Sequence, residues 1–311
     1  MWVYQLLNDP GLGHCHRLLK YYKRHVERQE PSVILVPYTK KLVLYLKNQG
    51  IEKVLQYDVT TSPDNLIKLL KEYSQTRKIR EWVIDTKLDC ADLVLALRNN
   101  KVFSTLIDNC TNSRLLADKN IYPTPLFDKS DLDWNGYKGV IKGGLKELNI
   151  NKTSLSSSFE IKRKSKNILI SFGGEDPNEL TIHTMKALKC LDKKYEILVI
   201  IGPLFSHEKQ IKKLNQEIGH RFKLVEKCYD LSNYIFSSDC LITAIGTTLF
   251  EALSLETPSV VLSNYRSDII DEIKLRKFKN ISLMGYYQKI INSNDLLLNA
   301  VKQRLNTTNY L

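Results

Sequence analysis

Residues 238–262, SDCLITAIGTTLFEALSLETPSVVL, decide how the rest of the chain is read. Cys240, Leu241, Ile242 and Thr243 form a short apolar run that predicts a strand. Ala244, Ile245 and Gly246 turn the chain, and Thr247 and Thr248 open a helix, with Thr247 the expected N-cap. Leu249, Phe250, Leu253 and Leu255 give that helix its apolar face, Pro258 stops it, and residues 259–262 read as a second strand. Gly246 places no side chain between the backbone and a ligand. The amides of Gly246, Thr247 and Thr248 then face whatever lies beyond the strand end, where a helix N-terminus favours a phosphate. Glu251, one turn further in, has the acceptors to hold a cis-diol such as a ribose. The plainer alternative is an ordinary strand-to-helix connection with a solvated glutamate.

Similar strand–helix alternation runs outward in both directions. In the first half, strands are expected at 3–7, 33–36, 54–56, 81–84 and 102–107, separated by helical patterns, as in a parallel sheet wrapped by helices. Leu18, Leu19, Tyr22 and Val26 mark the buried stripe of the first helix. Residues 118–138 look irregular, and 139–145 are a further strand and turn. Residues 149–166 are serine-rich, then basic, and read as a linker between a lobe at 1–148 and a lobe at 167–311. The second lobe alternates strands and helices as far as a terminal helix near 296–305.

With 311 residues, 43% hydrophobic and 26% charged, the chain suits two globular domains. It has no apolar run near the roughly 20 residues that span a bilayer. Its opening residues lack the charged start and apolar core of a signal peptide, so a cytoplasmic location is expected. Six scattered cysteines without a C-x-x-C pair suggest buried free thiols rather than disulfides or zinc. The net charge of +12 is spread along the chain, densest at Lys162, Arg163, Lys164 and Lys166. No basic stretch is interleaved with aromatics, so nucleic acid is not expected, whereas proximity to an anionic membrane stays open.

Three further stretches carry chemistry. GLGHCHR (11–17) joins the first strand to the first helix. Gly11 and Gly13 permit close approach to a ligand, and His14 sits where ligands bind in open α/β sheets, with an imidazole suited to general-base work. Arg17 stands where a dinucleotide fingerprint needs a small residue, which disfavours NAD. His16 follows on another side of the helix, so an H-x-H metal pair is not expected, and His25, His183, His207 and His220 have no evident partners in sequence. ISFGGEDPNEL (170–180) places Gly173 and Gly174 after a strand, with Asn178 as the expected helix cap. Asp85, Asp89, Asp108 and Asn109 stand at strand ends, positions shared by acid–base residues and by helix caps. No P-loop and no nucleophile elbow is present.

Taken together, GLGHCHR resembles a G-x-G-H-x-x-R entry motif, ISFGGEDPNELT an F-G-G-x-D-P-x-N-L-T turn, and AIGTTLFEALSLETPSVVL a G-x-T-x-x-E diphosphate and uridine-ribose stretch. These belong to the UDP-2,4-diacetamido-2,4,6-trideoxy-beta-L-altropyranose hydrolase family of pseudaminic acid biosynthesis, with flagellar and spore-coat polysaccharide relatives. That family is similar to the peptidoglycan N-acetylglucosaminyltransferase. The resemblance implies a GT-B fold, two Rossmann-like lobes with parallel sheets and an interlobe cleft. It implies a UDP-sugar substrate, no cofactor and no metal. His14 would activate water, Gly246, Thr247 and Thr248 would hold the leaving UDP, and Glu251 the ribose. Gly11, Gly13, Arg17, Asp85, Gly173 and Gly174 would line the substrate, and residues 228–231 would read the uracil. The chain departs from the pattern on its first strand, where R-x-D is absent, at Phe250, which replaces a polar or Trp residue, and at Asn264 and Arg266, which meet a polar pair only in part. Three functional readings follow: a nucleotide-sugar hydrolase, a GT-B glycosyltransferase on the same donor, and a nucleotide-sugar-binding protein without chemistry.

Overall fold

A computed structural model describes residues 1–7, 12–74, 78–150, 152, 155, 166–226, 228, 230–291 and 293–307. The chain divides into two units, Met1–Asn149 and Ile150–Leu311. Most of the expected linker, including Lys162, Arg163 and Lys164, lies outside the described residues, as does Gly11.

The first unit has strands β1 (Trp2–Leu6), β2 (Ser32–Pro37), β3 (Val54–Tyr57), β4 (Glu81–Asp85), β5 (Phe103–Ile107), β6 (Lys119–Tyr122) and β7 (Val140–Gly143). Helices α1 (Leu12–Glu27), α2 (Lys40–Asn48), α3 (Pro63–Tyr73) and α4 (Ala91–Asn99) connect the first five. All strands are parallel, in the order β3-β2-β1-β4-β5-β6-β7. The order reverses between β1 and β4, which makes their carboxyl ends the switch point where open α/β sheets bind ligands. Val3, Leu35, Trp82, Ile84 and Leu106 pack with Leu66, Leu70, Val94 and Leu97 of α3 and α4 on one face. Val26 is exposed, not part of the buried stripe of α1, which closes instead on Leu18, Leu19 and Tyr22. The region expected to be irregular contains β6, whose buried Asn120 donates to the Arg114 carbonyl and the Tyr137 hydroxyl.

The second unit has strands β8 (Asn167–Ile170), β9 (Glu196–Ile200), β10 (Lys223–Val225), β11 (Cys240–Ala244), β12 (Ser259–Ser263) and β13 (Ile281–Tyr286). Its helices are α5 (Leu180–Leu188), α6 (Glu208–Glu217), α7 (Ser232–Phe236), α8 (Thr247–Ser254), α9 (Ile269–Leu275) and α10 (Asn294–Thr307). The sheet is parallel, in the order β10-β9-β8-β11-β12-β13, with its switch point between β8 and β11. Ile168 and Ile170 face a core with Leu180, Met185, Leu188, Val301 and Leu305, while Leu169 faces Ile235 and Ala252 on the other side. Helices thus cover both faces, which is why these strands read as continuous apolar runs. Cys15, Cys90 and Cys240 are buried as expected, but Cys110 and Cys190 are exposed. Among the described residues no helix is long and apolar enough to cross a membrane.

Candidate active site

His14 lies in the first turn of α1, and Arg17 follows three residues later on the same helical face. Leu6 at the end of β1 pairs with Asp85 at the end of β4, so α1 begins beside that carboxylate. Asp85 is fully buried, and its Oδ1 lies 2.6 Å from His14 Nδ1. Arg17 grips the same carboxylate with two hydrogen bonds, Nε to Oδ2 at 2.8 Å and Nη2 to Oδ1 at 2.6 Å. Its remaining nitrogen, Nη1, donates to Asp108 Oδ2 at 3.1 Å. The Arg17 guanidinium is thus occupied by two carboxylates.

Burial alone would raise the Asp85 carboxyl. The charge of Arg17 and the hydrogen bonds from Arg17 and His14 outweigh it and hold the group below the usual carboxylate range. Burial alone would lower the Arg17 guanidinium, and its two carboxylates more than restore it. An anionic Asp85 at 2.6 Å requires a proton on His14 Nδ1. Arg17 Nη2, 3.0 Å from that nitrogen, then serves Asp85. The lone pair of the ring is left on Nε2, at the far side from Asp85, and the side chain is 19% exposed. A carboxylate that fixes the tautomer and stabilises the imidazolium is the device that makes histidine a base in hydrolases. Lys87, largely exposed, is 3.8 Å from Asp108.

Asp108 was an open choice in the sequence. It follows β5 with φ of 59°, a left-handed conformation that Asp tolerates better than most residues. Asp89, by contrast, accepts from the Ala91 amide at the start of α4. Asn109 is buried and ties down the loop after β4 by donating to the Thr86 and Leu88 carbonyls. Gly13 is exposed in the first turn of α1.

In the second unit two helix N-termini meet the switch point, and they differ. Asp176 caps α5: its carboxylate accepts from the amides of Leu180 at 2.8 Å and Thr181 at 2.9 Å. His207 Nε2 lies 3.2 Å from the same carboxylate. Asn178, the expected cap, donates instead to Asn264. The α5 terminus is thus filled by the protein's own anion. Among the described residues no side chain caps the α8 terminus, and its N-cap is Gly246, not Thr247. The first amides of a helix have no acceptor within it. A Cβ built on Gly246 meets nothing within 4 Å, so there is open space beside the first residue of this terminus. Glu251 is buried, with only 2% of its surface exposed. Gly173 takes a left-handed φ of 82°. The carbonyls of Gly173 and Gly174 close on Gly202, where a Cβ would lie 2.5 and 2.6 Å from them. The glycine pair therefore turns its carbonyls onto the protein. Of the residues 228–231, Tyr229 lies outside the described residues.

No protein-family model matches the chain. Over 135 residues it is 33% identical to an uncharacterized protein of Methanocaldococcus jannaschii, covering 43% of this chain and 27% of that one. Over 107 residues it is 26% identical to the spore coat polysaccharide biosynthesis protein SpsG of Bacillus subtilis, covering 34% and 31%. The chain thus spans less than a third of the length of the curated relatives it matches. Solved structures align over nearly all of it. MurG of Acinetobacter baumannii gives a TM-score of 0.63 at 15% identity, covering 99% of this chain and 93% of that one. HepE of Anabaena, solved with UDP, gives 0.59 at 14%, covering 99% and 92%. UDP-GlcNAc 2-epimerase of M. jannaschii gives 0.57 at 13%, covering 98% and 93%. At these identities the likeness is one of fold. The chain has the GT-B-type α/β fold, with two parallel sheets.

Proposed function

We propose that the protein is a nucleotide-sugar hydrolase that releases UDP from an amino-deoxy sugar used in surface polysaccharide or nonulosonic acid synthesis. The observation that carries this reading is the anchoring of His14 by Asp85, which leaves Nε2 as a base. Water gives its proton to Nε2 as its oxygen bonds to the anomeric carbon. The bond from that carbon to the β-phosphate oxygen breaks, and its electron pair leaves with UDP. The amides of Gly246, Thr247 and Thr248 hold the diphosphate, and Glu251 the ribose. The open α8 terminus supports that choice over the Asp176-filled terminus of α5. The UDP seen on HepE and the name of SpsG support the nucleotide and the polysaccharide setting.

The fold it shares with MurG favours one rival, a glycosyltransferase in which the same base deprotonates an acceptor hydroxyl. The test is UDP release from a panel of UDP-sugars in ¹⁸O-water without acceptor. Label entering the freed sugar is the expected result, and release only on adding an acceptor assigns the chain to transfer. His14→Ala is expected to lower turnover by roughly 10²–10⁴-fold while UDP binding by calorimetry is kept. Undiminished turnover in that variant removes His14 from the mechanism.

A further inference from the structure

α9 leaves the carboxyl end of β12 through a single turn of 3-10 helix, Arg266–Asp268. Its inner face buries Glu272 and Leu275. Its outer face carries an unusual concentration of apolar surface: Ile269, Ile270 and Ile273 are 50%, 64% and 58% exposed, and Tyr265 before them is 57% exposed. At about 100° per residue the three isoleucines fall within an arc of roughly 100°, and Arg276 and Lys277 continue close to the same arc at its far end. Arg266, Arg276, Lys277 and Lys279 are all exposed. Asp268 accepts from the Tyr265 amide at 3.0 Å, Glu272 is buried and takes the Ser263 hydroxyl, and Asp271 is half-buried on the flank. The same helix walls a groove of about 470 Å³, shared with Phe278, Ile281, Leu283 and Met284 of the edge-strand side.

We infer that this face of α9 docks on an anionic membrane surface, with the isoleucines entering the acyl boundary and the cations at the headgroups. Helices that lie in the interfacial plane have this division of apolar stripe and basic rim. A second copy of the chain fits poorly. A two-fold contact would set Arg266, Arg276 and Lys277 against the same residues of a partner that also carries a net charge of +12. Single-stranded nucleic acid would need aromatic stacking platforms in place of a β-branched stripe. α9, like the Gly246 turn, follows the carboxyl end of a strand of this sheet. The inference does not rest on the proposed hydrolysis.

The test is flotation of the full chain with vesicles of phosphatidylcholine, alone or mixed with phosphatidylglycerol. The chain is expected to float with the anionic vesicles only, and less as salt rises. The double variant Arg276→Gln/Lys277→Gln should lower the partition coefficient about 30-fold. Ile270→Ser/Ile273→Ser should lower it at least as clearly, at unchanged melting temperature, because both side chains are exposed. Absence of flotation, equal flotation with neutral vesicles, or variants that bind as the parent does each overturn the inference. So does a concentration-dependent dimer that the isoleucine changes dissociate, which would assign the face to a second copy. Retention on a polyglutamate resin that ignores the isoleucine changes would assign it to an acidic protein.

Discussion

Gly246 and Gly202 both follow strands of the second sheet, and a methyl group added to each meets opposite surroundings. At Gly246 it meets open space, and a φ of 162° is extended backbone that any residue adopts. Gly246→Ala should therefore melt as the parent does but lose UDP affinity, since the new methyl fills the space before the α8 amides. At Gly202 the methyl would press on two carbonyl oxygens that cannot yield without moving the turn. Gly202→Ala should cost about 1–3 kcal/mol, the usual range for overpacking. Thermal melts with and without UDP separate the two, and a Gly246→Ala protein with parental affinity would remove the amide cradle from consideration. Asp85 makes a prediction in pH. Its folded-state pKa is depressed, so its stabilisation is complete above the ordinary carboxylate value of about 3.9 and is lost as pH falls below it. Asp85→Asn leaves Arg17 buried beside a neutral amide and should cost about 3–5 kcal/mol at neutral pH. The gap between variant and parent should then narrow below about pH 4. A gap independent of pH would show that the carboxylate's charge is not what matters there.

Elements were legible where their signals are local. Residues 238–262 form β11, α8 and β12 because two apolar runs are separated by Gly246 and Pro258, and neither signal needs the rest of the chain. β6 is not legible locally because Lys119 and Asn120 leave it only Ile121 and Tyr122 as an apolar signal. The NH2 of the Asn120 side chain finds acceptors 6 and 17 residues away, at the Arg114 carbonyl and the Tyr137 hydroxyl. Caps misled for a related reason. Thr247 and Asn178 are good cap residues by type, yet α8 is left open and α5 is capped from Asp176, four residues before its first helical amide. The convergence of His14 and Arg17 on Asp85 spans 71 and 68 residues and depends on β1 lying beside β4. The i, i+3 spacing in GLGHCHR was the one local hint of it. Asp176→Ala tests the cap: it orphans two amides and the buried His207, and should destabilise the protein by about 1–3 kcal/mol. An unchanged melting temperature would mean that the α5 terminus has another acceptor.

Across the whole molecule, each unit closes its own core. The apolar residues around Trp82 and Ile84 all belong to the first unit, and those around Ile168, Leu169 and Ile242 all belong to the second. A domain with its own core folds alone as a rule. The Gly246 turn, α8 with Glu251, and the Gly173 loop locked by Gly202 are all built from the second unit, while His14, Arg17, Asp85 and Asp108 are built from the first. If the second unit alone holds the nucleotide, residues 150–311 expressed by themselves should fold and bind UDP within a few-fold of the full chain, because no contact proposed for the diphosphate or ribose is lost. The same fragment should release no UDP from any donor, because the base is gone. Calorimetry with UDP and a release assay on the fragment check both halves. A folded fragment that fails to bind UDP would mean that residues of the first unit complete the nucleotide site, and the division of labour proposed between the two sheets would have to be redrawn.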